Sequence, residues 1–185
     1  MTMSRKRWIM YAMVFGLALA GAQAQEAAPA EAAAGPEVAW EDDCSSIAGW
    51  HYDNDSKGMN CVVEQFEPST IKIKQQGNDT WGKAAYVIHN IDIEKTPIVE
   101  VKVNKVDKGS AYTIAVTPTD WSEMITVIPR SSADGTFKGN IEKAVKKAKN
   151  RDAWENNPVS FNLVVIIEGK GKASYFDNFR IRAEK

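Results

Sequence analysis

Strict alternation of apolar and polar side chains, broken every few residues by turn chemistry, constrains this chain more than any other feature. Thr70-Ile71-Lys72-Ile73-Lys74, Ile98-Val99-Glu100-Val101-Lys102-Val103 and Tyr112-Thr113-Ile114-Ala115-Val116 repeat with a period of two. That period sends alternate side chains to opposite faces of a strand and leaves one face wet. Further strands are expected over Asn60 to Phe66, Ala84 to Ile91, Glu123 to Ile128, Ser160 to Glu168 and Ser174 to Ala183, which are rich in β-branched and aromatic residues. The total is about eight. Glu67-Pro68-Ser69, Gly77-Asn78-Asp79, Lys95-Thr96-Pro97, Asp107-Lys108-Gly109, Asp134-Gly135 and Gly169-Lys170-Gly171 supply the turns. One helical pattern intervenes over Asn140 to Ala148, with Ile141, Ala144, Val145 and Ala148 on one face and Asn140 placed to cap it. Lys143, Lys146, Lys147 and Lys149 read as its solvated face. Parallel strands would need a crossover between most neighbours. The expected fold class is therefore all-β: an antiparallel β-sandwich (jelly roll) with one short helix in a connection.

The N-terminus follows different rules. Arg5, Lys6 and Arg7 precede an apolar run of 13 residues, Trp8 to Ala20, and Ala22-Gln23-Ala24 follows it. This is the pattern of a secretory signal peptide with cleavage after Ala24. The run is shorter than the roughly 20 residues a membrane-spanning helix needs, so no transmembrane segment is expected after cleavage. Residues 25–37, QEAAPAEAAAGPE, lack any large apolar side chain and read as a linker. The organisation expected is thus signal peptide 1–24, linker 25–37 and one β-sandwich domain 38–185, in a protein of the periplasm or the exterior. Across the whole chain 23 basic residues face 24 acidic ones. Losing the signal removes three cations and no anion, which leaves nothing to hold a nucleic acid by bulk charge.

Cys44 and Cys61 stand 17 positions apart, and an oxidising compartment favours their pairing, so one disulfide is expected. The spacing is neither C-x-x-C nor, with His51 and His89, a zinc pattern.

The last expected strand, Tyr175-Phe176-Asp177-Asn178-Phe179-Arg180-Ile181, resembles the closing strand of galactose-binding-like jelly rolls, the fold of many secreted carbohydrate-binding modules. The resemblance extends by strand order over Trp40 to Ala183. It implies a noncatalytic, glycan-binding module. It also implies a structural Ca2+ between an acidic segment near the first strand, Glu41, Asp42 or Asp43 here, and Asp177, since hard carboxylate oxygens suit that ion. The residues themselves leave a second reading open, in which Asp177 and Asn178 make a bulge with local hydrogen bonds.

Modules of this kind present aromatic rings to the apolar faces of sugars and surround them with polar groups. The aromatic candidates are Trp50 and Tyr52, two apart in an extended segment that runs into Asp53-Asn54-Asp55, together with Trp81 and Trp121, each following a polar turn. Every one of these tryptophans has a competing place in the core. An enzyme would need a nucleophile, a base or paired carboxylates in a cleft. No G-x-S-x-G, H-E-x-x-H or P-loop sequence occurs, and His89 reads as a packed or edge residue. The alternatives to a glycan-binding module are an envelope structural or assembly protein that binds another protein and a small polysaccharide-active enzyme.

Overall fold

The computed structural model describes residues 35–52 and 60–185. The expected signal peptide, most of the linker and the run Asp53-Asn54-Asp55 lie outside the described residues. Eleven strands occur among the described residues: β1 (Val38–Asp42), β2 (Trp50–His51), β3 (Cys61–Glu67), β4 (Thr70–Gln75), β5 (Trp81–Ile91), β6 (Ile98–Val106), β7 (Ala111–Pro118), β8 (Ile125–Ser131), β9 (Gly135–Asn140), β10 (Val159–Glu168) and β11 (Ala173–Arg182). They form two sheets whose pairings are all antiparallel. One runs β3-β4-β11-β6-β9, with β1 added beside the second half of β11; the other runs β2-β5-β10-β7-β8. The chain is an antiparallel β-sandwich.

Alternate residues of each sheet build the layer between them. Val63, Ile71, Ile73, Val99, Val101, Val103 and Phe176 from the first sheet meet Ala84, Ile88, Tyr112, Ile114, Phe161, Leu163, Val165 and Ile167 from the second. Phe176 stacks on Phe179 at 5.3 Å between centroids and meets the Tyr112 ring edge-on at 5.7 Å. The Tyr112 hydroxyl donates to the Ala133 carbonyl at 3.0 Å, so the core's buried phenol keeps a partner.

All eight expected strands form, with ends shifted by a few residues. Three more appear that alternation did not reveal. β2 has two residues and β9 contains two glycines and an asparagine, poor strand formers whose pairing is supplied by β5 and by β6. β1 lies beside β11 with Glu41 opposite Arg180. The helix is shorter than expected, α1 (Ile141–Val145), and Asn140 caps it by accepting from the Lys143 amide at 2.8 Å. Ala148 is buried beyond its end, after a turn.

The expected disulfide is absent: Cys44 and Cys61 are separate, buried thiols. The reason is register. Cys44 sits by Gln65, whose side-chain amide donates to the Cys44 carbonyl at 2.8 Å, whereas Cys61 begins β3 opposite Gln75 and beside Gly82. Four residues of strand separate those two positions, about 13 Å, far beyond the roughly 4.4–6.8 Å between Cα atoms that a disulfide bridges. Burial pushes both thiols up, Cys61 to about 12.

Candidate functional site

The two outer faces of the sandwich differ in kind. On the five-stranded sheet, β7 is buried at all eight positions, on both of its faces. Ala85, Ala115 and Val164 lie side by side across β5, β10 and β7 and form an apolar stripe on the outside, with Ile166 and Trp121 packed against it. The sequence signal was the run Val164-Val165-Ile166-Ile167, in which both faces of one strand are apolar.

Trp121 reaches this stripe because the chain turns sharply after β7. The Trp121 amide donates to the Pro118 carbonyl at 2.9 Å, and Trp121 adopts a left-handed φ of 63°. Asn162 Nδ2 donates to the same carbonyl at 3.2 Å and ties the turn to β10. Trp81 approaches from the other end. It is the first residue of β5 and is 46% exposed.

Lys83 joins the two. It is two residues after Trp81 and on the same face, and its Nζ lies 5.7 Å from the centre of the Trp81 ring and 5.2 Å from that of Trp121. Both distances are within cation–π range. Only 8% of Lys83 is exposed. Beyond Trp81 the surface dips into a depression of about 330 Å³ walled by Trp81, Ile166, Arg130, Glu168 and Lys170. Arg130 Nε donates to Glu168 Oε2 at 2.7 Å. The far wall is the turn between β10 and β11, where Gly169 has φ +101° and a Cβ would stand 2.6 Å from the Gly109 carbonyl. Only glycine lets these two turns close. An exposed indole, a half-buried indole, an ammonium and a bordering ion pair can stack on a flat apolar face and hydrogen-bond to groups around it. Two larger open grooves flank α1, one of about 560 Å³ floored by Ile93, Val145 and Trp154, yet neither presents an exposed aromatic ring.

The structure therefore brings together Trp81 and Trp121 of the four expected aromatics, and adds Lys83, Arg130 and Glu168. Trp50 is a correction: it is 5% exposed, its ring lies between Tyr86 and Phe179, and its Nε1 donates to Asp42 Oδ2 at 2.9 Å. Pairing of β2 with β5 turns that side chain inward. Tyr52 is half-buried and packs on the same core. His89 is exposed on β5.

The expected calcium ligands are committed elsewhere. Glu41 Oε1 accepts from Asn178 Nδ2 and Arg180 Nε, both at 2.7 Å, and these bonds hold its carboxyl below the usual range. Asp42 accepts from the Cys44 amide and from Trp50. Asp177 lies in a bulge of β11 and pairs with Lys102. Among the described residues no three acidic, His or Cys side chains converge to hold a metal. Asp177 and Asn178 lie where the register of β11 against β6 shifts, in keeping with the bulge reading.

No known protein family and no curated protein matches this sequence. In shape the chain is similar to carbohydrate-binding modules. One is the family 11 module of the cellulosomal cellulase Lic26A-Cel5E of Clostridium thermocellum, at 10% identity and TM-score 0.48, covering 82% of this chain and 96% of that one. Another is the family 30 module of the cellulosomal cellulase Cel9D-Cel44B of the same organism, at 13% identity and TM-score 0.41, covering 82% and 94%. A third structure, PfGH50B, matches at 12% identity and TM-score 0.43; it covers 68% of this chain, which spans 22% of that protein's length. It is the strand pairing described above, and not these likenesses, that defines the sandwich.

Proposed function

We propose that this protein is an exported, noncatalytic module that binds a glycan on the outer face of its five-stranded sheet. One observation carries the reading: Trp81 and Trp121 flank Lys83 above an apolar stripe, with the Arg130–Glu168 pair at its border. A pyranose has an apolar C–H face and a rim of hydroxyls. The face stacks on the exposed Trp81 indole, while Arg130 donates to hydroxyl oxygens and Glu168 accepts from hydroxyl hydrogens. No proton needs to move and no bond is broken, so the arrangement selects a ligand without converting it.

The test is a glycan array probed with wild-type protein and with Trp81→Ala. Retention by the wild type, weakened tenfold or more in the variant, supports the reading; that loss corresponds to about 1.4 kcal/mol. A blank array overturns it. Release of reducing sugar from a retained polysaccharide by the purified protein overturns the noncatalytic part.

A further inference from the structure

The outer face of the six-stranded sheet holds a second aromatic cluster. Glu64, Lys72, Tyr175 and Lys105 form one row across β3, β4, β11 and β6. Phe66, two positions beyond Glu64 and 51% exposed, meets the Tyr175 ring edge-on at 4.8 Å between centroids. Lys105 Nζ stands 4.8 Å from the centre of that same ring. Tyr175 is left 7% exposed, so the surface ring is Phe66.

Most charges on this face are paired. Lys72 binds Glu64 at 2.7 Å, Lys102 binds Asp177, Arg180 binds Glu41 at 2.7 Å, and Glu100 takes both Lys138 and Arg182. Protein–protein interface cores are depleted in charged side chains, and here charges run up to the ring. A polyanion needs surplus cations, and here most are neutralised by a neighbouring carboxylate. A neutral polyhydroxylated chain needs what is present: a ring for its C–H face and closely alternating donors and acceptors for its hydroxyls.

We infer that this face is a second saccharide-binding surface with Phe66 as its stacking ring, so that one molecule holds two separate glycan segments. The inference rests on the reading of the Trp81 face as a glycan site. The two faces look away from each other across a core about 10 Å thick. A short oligosaccharide cannot reach both, so the surfaces fill independently on small ligands and act together on a polymer.

The full chain is tested against amorphous cellulose, mixed-linkage β-glucan and galactomannan in affinity gels. Calorimetry then uses a hexasaccharide of whichever polymer retains the wild type most. The expected stoichiometry is two per chain for the wild type, one for Trp81→Ala, one for Phe66→Ala and none for the double variant. Phe66→Ala is expected to lose at least about tenfold in apparent affinity for the immobilised polymer through lost avidity, and Phe66→Tyr to retain it. Lys105→Ala, which removes the ammonium over the Tyr175 ring, weakens the second site in a fold that thermal melting shows intact. One hexasaccharide per chain in both the wild type and Phe66→Ala, with none bound by Trp81→Ala, overturns the second surface and leaves the first standing. No retention of the wild type on any of the three polymers overturns both.

Discussion

Trp50 and Trp81 are the same residue type in opposite circumstances, and the difference predicts opposite mutants. Trp50 is enclosed by Tyr86 and Phe179 and anchored to Asp42. Its replacement by Ala is expected to cost about 3–5 kcal/mol in urea unfolding. Trp81 is nearly half exposed, so Trp81→Ala is expected to change stability by less than about 0.5 kcal/mol while abolishing most glycan retention. A Trp81→Ala protein that unfolds as easily as Trp50→Ala would show that its ring is structural. The cysteines give a third expectation at this scale. Ellman's reagent is expected to find both thiols unreactive in the native protein, since burial raises them, and both reactive in denaturant. Absence of thiol in the denatured, unreduced protein would restore the disulfide.

Between elements, the contact of β8 with β9 depends on a missing side chain. A Cβ on Gly139 would run into the Val127 carbonyl oxygen, which is backbone and cannot turn aside. Gly139→Ala is therefore expected to destabilise by about 1–3 kcal/mol, read in a denaturant melt; an unchanged midpoint would mean the two strands stand further apart than described. β9 was also the strand least legible in the sequence, and for a related reason: Gly135, Gly139 and Asn140 carry almost no strand preference, and pairing with β6 determines their conformation. By contrast β4 and β6 were legible because they alternate, while β7, buried on both faces instead of wet on one as alternation implied, was legible from its β-branched and aromatic residues. In α1, Asn140 could be identified as the cap from its side chain alone, while the early end of the helix at Val145 could not.

For the whole molecule, carboxylates held by donors set the response to acid. Asn157 and the Lys95 amide hold Asp92 down to about 2, Lys72 holds Glu64 low, and the Asn150 and Lys149 amides hold Glu123 low. At Glu100 burial works upward but is outweighed by hydrogen bonds from Arg182 and Lys138. A pKa depressed by folding contributes stability that is complete above the unfolded values, about 3.9 for Asp and 4.3 for Glu, and that is lost as pH falls through the folded one. Thermal stability is expected to be flat above about pH 5 and to decline from there toward pH 2. A midpoint that rises on acidification would contradict these bonds.

What the sequence determined by itself was the β class, the eight expected strands and their turns, and two of the aromatic residues at the candidate site, because strand composition, period and turn chemistry are local. What the tertiary structure decided was which tryptophans face outward, that Asp42 holds hydrogen bonds and Asp177 an ion pair, that Cys44 and Cys61 lie a strand's length apart, and that Lys83 stands between Trp81 and Trp121. Each of these depends on register between strands distant in the chain. A single-residue slip of register sends every side chain of a strand to the other face, and no local pattern records which pairing wins.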